Sequence, residues 1–184
     1  QHAKGYTQSH ICVSAGALIF MPKHFPSHQA TESLAYYMLS ELPTDGIWDT
    51  YWWSSHIYAT YYAIKGFHTL REEKEMIEQA ISFLARQQNP DGSFGDSYFT
   101  PSSVFYTALM LELLSIDNDI YEKYEEQAEK AASFLIGNIA GDGSVGFTSF
   151  LLIPKPDIMD TAREVQNWSR KNKVDDSVIA EDTM

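Results

Sequence analysis

Only one cysteine, Cys12, occurs in the 184 residues, so no intramolecular disulfide can form and a cysteine-based structural zinc site has too few ligands. That scarcity suits a reducing compartment, and a cytoplasmic location is the expectation. Positive charge is scarce as well: 13 Lys and Arg stand against 25 Asp and Glu, with no basic cluster larger than Arg170-Lys171 and Lys173. Phosphate backbones and anionic lipid are bound by concentrated positive fields, so a nucleic-acid partner and docking on an anionic bilayer are not expected. Long apolar runs are missing too. The longest, Ile11 to Met21, is too short to span a bilayer. Lacking a basic lead and a small-residue cleavage site, it reads as a buried helix rather than a signal-peptide core. The six histidines show no short ligand spacing. There is also no Gly-rich phosphate loop, Gly-x-Ser-x-Gly elbow or Asp-rich diphosphate string, so neither cofactor nor metal is expected.

What the chain does have is a large apolar share, 44%, enough for a substantial single core, and a repeat. Asp-Gly recurs at Asp45-Gly46, Asp91-Gly92 and Asp142-Gly143. The flanks recur with it, in "ESLAYYMLSELPTDGIWDTYWWSSHIYATYYAIKGF", "AISFLARQQNPDGSFGDSYFTPSSVFYTALMLELLSI" and "AASFLIGNIAGDGSVGFTSF". Spacings of 46 and 51 residues, read from the first residue of each pair, fall near the upper end of helical-repeat periods. The units lie around 28–67, 72–115 and 119–150.

Two kinds of helix alternate within them. In 72–88, Met76, Ile77, Ala80, Ile81, Leu84 and Ala85 share one face while Glu72, Glu73, Glu75 and Glu78 crowd the start, as suits a helix with one wet side. Residues 119–136 repeat the pattern. Residues 103–115 are instead apolar nearly all round, which demands burial on two sides, and 56–67 are similar but richer in Tyr. Alternating one-sided and two-sided helices are what a double ring produces, with inner helices packed between an outer ring and a lumen. An all-α, α/α toroid-type domain, or an arc of one, is the predicted fold; a stacked solenoid is the alternative. The turns fit, since in Asn89-Pro90-Asp91-Gly92 the Pro fixes one φ and Gly accepts a positive one.

"QQNPDGSFG" closely resembles the Gln-Trp-type repeat of the terpenoid cyclases and protein prenyltransferases, with Phe94 where Trp usually falls. "DGIWDTYWWSSHIYAT" resembles it with the Gln lost and Trp48 kept, and "AGDGSVG" has lost both. The resemblance, squalene–hopene cyclase-like and spanning residues 28 to 150, implies a toroid of about six hairpins when complete. About three are counted here, and the chain opens at Gln1 and stops at "SVIAEDTM", which reads as a helix getting under way. A fragment, an open arc or a half-toroid that pairs with another chain or as a homodimer is therefore expected, with 153–184 as an irregular capping segment.

The resemblance further implies an isoprenoid or other apolar small molecule as ligand. Class II cyclases protonate their substrate with the middle carboxyl of Asp-x-Asp-Asp, which must be kept protonated in an apolar cavity. "KVDDSVIA" matches in part. Asp175 stands in the acid's place and Asp176 beside it, but Lys173 occupies the first Asp position and would favour the ionised carboxylate; a solvated acidic pair at a helix start is the plainer account. Trp48, Trp52, Trp53, Tyr58, Tyr61 and Tyr62 are the candidate substrate-binding aromatics, since π faces can hold a prenyl chain or a carbocation, and ordinary core packing explains many of them equally well. His56 is expected as a packed or hydrogen-bonded core histidine. Two alternatives stay open. One is a non-catalytic helical-repeat module that binds an apolar molecule or a protein. The other is a carbohydrate-active toroid using carboxylates near the turns, such as Asp45, Asp49, Asp91 and Asp96.

Overall fold

A computed structural model describes residues 9–44, 46–71, 73–96 and 101–146, and the backbone alone at 151–153 and 178–180. Six helices follow one another: α1 Ile11–His24, α2 Gln29–Ser40, α3 Ile57–Leu70, α4 Lys74–Ala85, α5 Val104–Leu114 and α6 Asn118–Gly137. Local chemistry explains several of the ends. His28 caps α2 by accepting from Ala30 N–H at 3.0 Å, Ser103 caps α5 through Tyr106 N–H at 3.2 Å, and Asp117 caps α6 through Ile120 N–H at 2.9 Å; each satisfies a first-turn amide that has no intrahelical partner. Helix α3 stops where Arg71 turns left-handed, at φ 60°.

The helices sort into two layers. α3 packs against α1 on one flank and α5 on the other, forming an inner row, while α2 lies on α1, α4 on α3 and α5, and α6 on α5 and α4. Contact between α1 and α3 is close because Gly66 has no side chain: a Cβ there would stand 2.5 Å from Leu18 Cγ. Trp48, Tyr106, Phe67 and Phe94 are the bulkiest fully buried side chains between the layers. Their burial contributes about 2 kcal/mol or more each from apolar area.

The repeat is visible atom by atom. Gly46, Gly92 and Gly143 all adopt positive φ, at 79°, 86° and 85°. Asp91 accepts from Ser93 N–H at 2.9 Å and Ser93 Oγ at 2.6 Å, and Asp142 makes the same pair with Ser144 at 2.9 and 2.7 Å. Two residues beyond the glycine, Trp48 N–H donates to Thr60 Oγ1 at 3.2 Å and Phe94 N–H to Thr107 Oγ1 at 2.8 Å, so each loop is tied to the inner helix that follows it. The second loop also reaches the next outer helix. Gln88 Nε2 donates to Gly92 O at 3.0 Å and Gln127 O at 2.8 Å.

Four expectations change. The first hairpin begins at α1, so the run Ile11 to Met21 is the inner helix of a repeat and not a segment ahead of it. That helix is buried along one side only: Cys12, Ala15, Leu18 and Pro22 face the core, while Val13 and Phe20 remain 63% and 62% exposed, because α2 and α3 cover a single face. Helix α5 is likewise open along one edge, at Ala108. Finally, Val178–Ala180 is not the start of a helix but a strand, β2, antiparallel to β1 at Leu151–Ile153. Consecutive Val178 and Ile179 favour extended backbone once a partner strand is in reach. The all-α architecture of the repeats is unaffected.

Candidate functional site

Like α1 and α5, α3 leaves one face of the inner row open. Tyr58, Tyr62 and Lys65 share it at i, i+4 and i+7, and Phe105, Ala108 and Glu112 share the corresponding face of α5 at i, i+3 and i+7. Around them α3 is packed on every other side, with Ile57, Ala59, Thr60, Ala63, Ile64 and Phe67 buried. The exposed stripe is therefore an inner wall fixed by its neighbours.

The upper part of this wall is aromatic. Trp53, from the loop before α3, stacks on Tyr58 with centroids 3.7 Å apart and planes at 11°, and lies 5.6 Å from Phe105 at 16°. Tyr58 meets Tyr62 at 4.7 Å. All four rings are half-buried, so each packs on the protein with one part and keeps another part open. Such a wall can hold a branched hydrocarbon by area and dispersion, and each well-placed π face stabilises a nearby cation by about 0.5–2 kcal/mol. Burial, a hydrogen bond to Tyr62 and the Tyr62 charge push the Tyr58 phenol well above its ordinary range, so it stays a neutral ring.

The six candidate aromatics separate. Trp53, Tyr58 and Tyr62 lie on the wall. Trp52 is half-buried to one side, 4.9 Å from Tyr51 and 5.7 Å from His10. Tyr61 is buried with its hydroxyl donating to Glu112. Trp48 belongs to the core: it is fully buried, its indole N–H donates to Met38 O at 2.8 Å, and it stacks on Phe67 at 6.0 Å. Its place, two residues after Gly46 as Phe94 is two after Gly92, is the signal that marks it as hairpin filling. Phe105, absent from the sequence-based set, completes the wall. Asp175 and Asp176 lie outside the described residues.

Below the aromatic rings the wall turns polar. Glu112 accepts from both the Lys65 ammonium and the Tyr61 hydroxyl, and Lys65 Nζ is 3.4 Å from Tyr61 Oη. Burial pushes the Glu112 carboxyl up, but the bonds from Lys65 and Tyr61 outweigh it and hold it below the usual carboxylate range. Behind the wall, Ser54 Oγ donates to buried Asp96 at 2.8 Å and lies 2.9 Å from Tyr106 Oη, and the Tyr106 phenol is raised chiefly by burial. His56 is not a core histidine: at the start of α3 its side chain is 49% exposed and paired with Asp49 at 3.1 Å, because the first turn projects it out of the packed layer. Of the carboxylates near the turns, Asp91 is engaged by Ser93 and Ser102 and Asp49 by His56, while Asp45 lies outside the described residues. Among the described residues no group of three or more His, Cys, Asp or Glu could hold a metal ion, and no helix is long and apolar enough to cross a membrane.

A hollow of about 380 Å³ lies at the far end of α3, bordered by His68, Arg71, Lys74, Glu78, Asp117 and Asp119 and by the isoleucines Ile77 and Ile120. Its lining carries both signs of charge beside the two isoleucines and holds the His68–Asp117 pair at 3.0 Å.

Against known proteins, the chain is 25% identical to the type II terpene cyclase MstE from Scytonema, in a variant bound to its product merosterolic acid A, with a TM-score of 0.74 over 89% of this chain and 46% of that one. Another MstE variant, bound to its substrate geranylgeranyl dihydroxybenzoate, is 26% identical with a TM-score of 0.70 over 89% and 44%. A protein from Actinoplanes shares the fold at 21% identity, TM-score 0.74, over 88% and 46%. The chain thus spans a little under half the length of these relatives. The described architecture is that of the terpene cyclase α/α toroids. A sequence profile for the squalene-hopene cyclase C-terminal domain matches residues 11–110, 100 of the 184, and the chain belongs to that family.

Proposed function

We propose that this chain contributes the aromatic wall of an isoprenoid-binding pocket in a class II terpene cyclase-type protein. The observation that carries the reading is the contiguous stack of Trp53, Tyr58, Tyr62 and Phe105, half-buried on the open face of two adjoining inner helices. An open face built from four rings, in a fold whose solved relatives include one bound to a geranylgeranyl-bearing substrate, is suited to hold a polyprenyl chain extended and to shield positive charge developing along it.

The acid in this reading is Asp175, with Asp176 as its neighbour. Proton donation to an alkene needs that carboxyl protonated, and a cation such as Lys173 two residues earlier favours the ionised form. Binding is therefore the property this chain carries by itself, and cyclisation by the chain alone is expected to be slow.

The test is a tryptophan-fluorescence titration with a polyprenyl alcohol. Saturable quenching is expected, and Tyr58→Ala and Phe105→Ala should each weaken the dissociation constant about ten-fold, the loss of one aromatic contact surface. Circular dichroism melts check that both variants fold. Titration curves that never saturate, or that ignore both substitutions in folded protein, would sink the reading.

A further inference from the structure

Seven residues separate Tyr58 from Lys65 on α3 and Phe105 from Glu112 on α5, so the aromatic and polar layers of the wall sit about 10 Å apart along parallel faces. This arrangement has a cost. An ion pair placed beside an apolar binding surface is partly stripped of water, both by the wall and by any hydrocarbon that lies along it. Lys65 is 30% exposed and Glu112 50% exposed at the side chain, and Ala108, one turn before Glu112 on the same face, offers no bulk to screen them. A pocket meant for a pure hydrocarbon would gain by having apolar side chains here.

On the isoprenoid reading of this wall, we propose that Lys65, Glu112 and Tyr61 form a head-group site, and that the ligand is an isoprenoid ending in a hydroxyl, either an alcohol or a phenol. The donor and acceptor count favours that class. Lys65 has three N–H donors and Glu112 two acceptor oxygens, and the bonds from Lys65 and Tyr61 leave acceptor capacity on the carboxylate and donor capacity on the ammonium. A hydroxyl can donate to the first and accept from the second at once. A diphosphate could only compete with Glu112 for a single cation, and no other Lys or Arg shares the exposed faces of α3 and α5. The geometry also orders the ligand: head at the Lys65–Glu112 end, chain running past Tyr62 toward Tyr58, Phe105 and Trp53.

A clamp between α3 and α5 would use the same three residues, so the deciding readout is selectivity rather than stability. The full chain is titrated with a polyprenyl alcohol, the hydrocarbon of the same chain lacking the hydroxyl, and the diphosphate of the same alcohol. The titrations are repeated with Lys65→Met/Glu112→Leu, which removes both charges together and leaves neither unpaired. The wild type should prefer the alcohol about ten-fold over the hydrocarbon and the diphosphate. In the double variant that preference should vanish while hydrocarbon affinity is kept. Equal binding of alcohol and hydrocarbon by the wild type, tightest binding of the diphosphate, or an alcohol preference that survives in the double variant would each overturn the head-group site and leave the aromatic wall standing. Binding of none of the three by folded wild-type protein overturns the wall and the head-group site together. Should the double variant fail to fold, Lys65→Leu with Glu112→Met, which likewise leaves neither donor nor acceptor, is the replacement, with the same expectations.

Discussion

At Gly92 the chain has no choice of residue. Its φ is 86°, and a Cβ there would stand 2.4 Å from Lys130 O on the neighbouring helix, so both the backbone conformation and the packing exclude a side chain. Gly92→Ala is expected to lower unfolding free energy by about 2–3 kcal/mol in urea melts, whereas Gly143→Ala, with positive φ but open space around it, should cost only about 1 kcal/mol. Asp91 beside it is held below its ordinary value of 3.8 chiefly by the Ser93 hydroxyl, against a rise from burial, with Ser93 N–H and Ser102 adding to the fall. A carboxylate depressed in the folded state contributes stability that is present above the unfolded value and lost as pH falls through the folded one. Stability should therefore decline below about pH 4, and Asp91→Asn should flatten that acid limb; an unchanged pH profile would show that Asp91 does not carry it. These turn residues were legible from sequence because Asn-Pro-Asp-Gly states its own dihedrals. The role of Trp48 was legible only through the repeat, by its place two residues after Gly46 as Phe94 is two after Gly92, and not through the aromatic cluster it was grouped with.

Among the elements, α4 and α6 announced themselves by a single apolar stripe, and α3 and α5 by the lack of one. The same feature that located α5 in the inner row hid its open face. A helix apolar nearly all round gives no phase, so nothing in the sequence separated Phe105 and Ala108, on the open edge, from Tyr106 and Met110, which are buried. Glu112 is the one charged residue of α5, but its meeting with Lys65 and Tyr61 depends on the register of α3 against α5, held by the loop bonds to Thr60 and Thr107 and by the Ser54–Tyr106 contact. Gln88 shows how that register passes from one hairpin to the next, through its two bonds to Gly92 O and Gln127 O. Gln88→Ala leaves two part-buried carbonyls short of a donor, and a loss of about 1–2 kcal/mol is expected. Hydrogen exchange should localise it to the junction of the second loop with α6. Uniformly unaltered exchange in that junction would contradict the bridging role.

For the whole molecule, period and amphipathicity specified a double-layered helical arc, and membership in the squalene-hopene cyclase C-terminal domain family agrees with it. The phase of the hairpins did not emerge from sequence, because α1 is apolar but carries no Asp-Gly turn ahead of it. The proposed binding surface depends on which face of the inner row stays open, a property of packing. Photo-crosslinking with a polyprenyl alcohol that carries a benzophenone, followed by peptide mapping, tests that placement most directly. The account predicts adducts on the segments carrying Trp53, Tyr58, Tyr62 and Phe105, competed away by unlabelled alcohol. Competable adducts confined to the outer helices α2, α4 and α6 would contradict it.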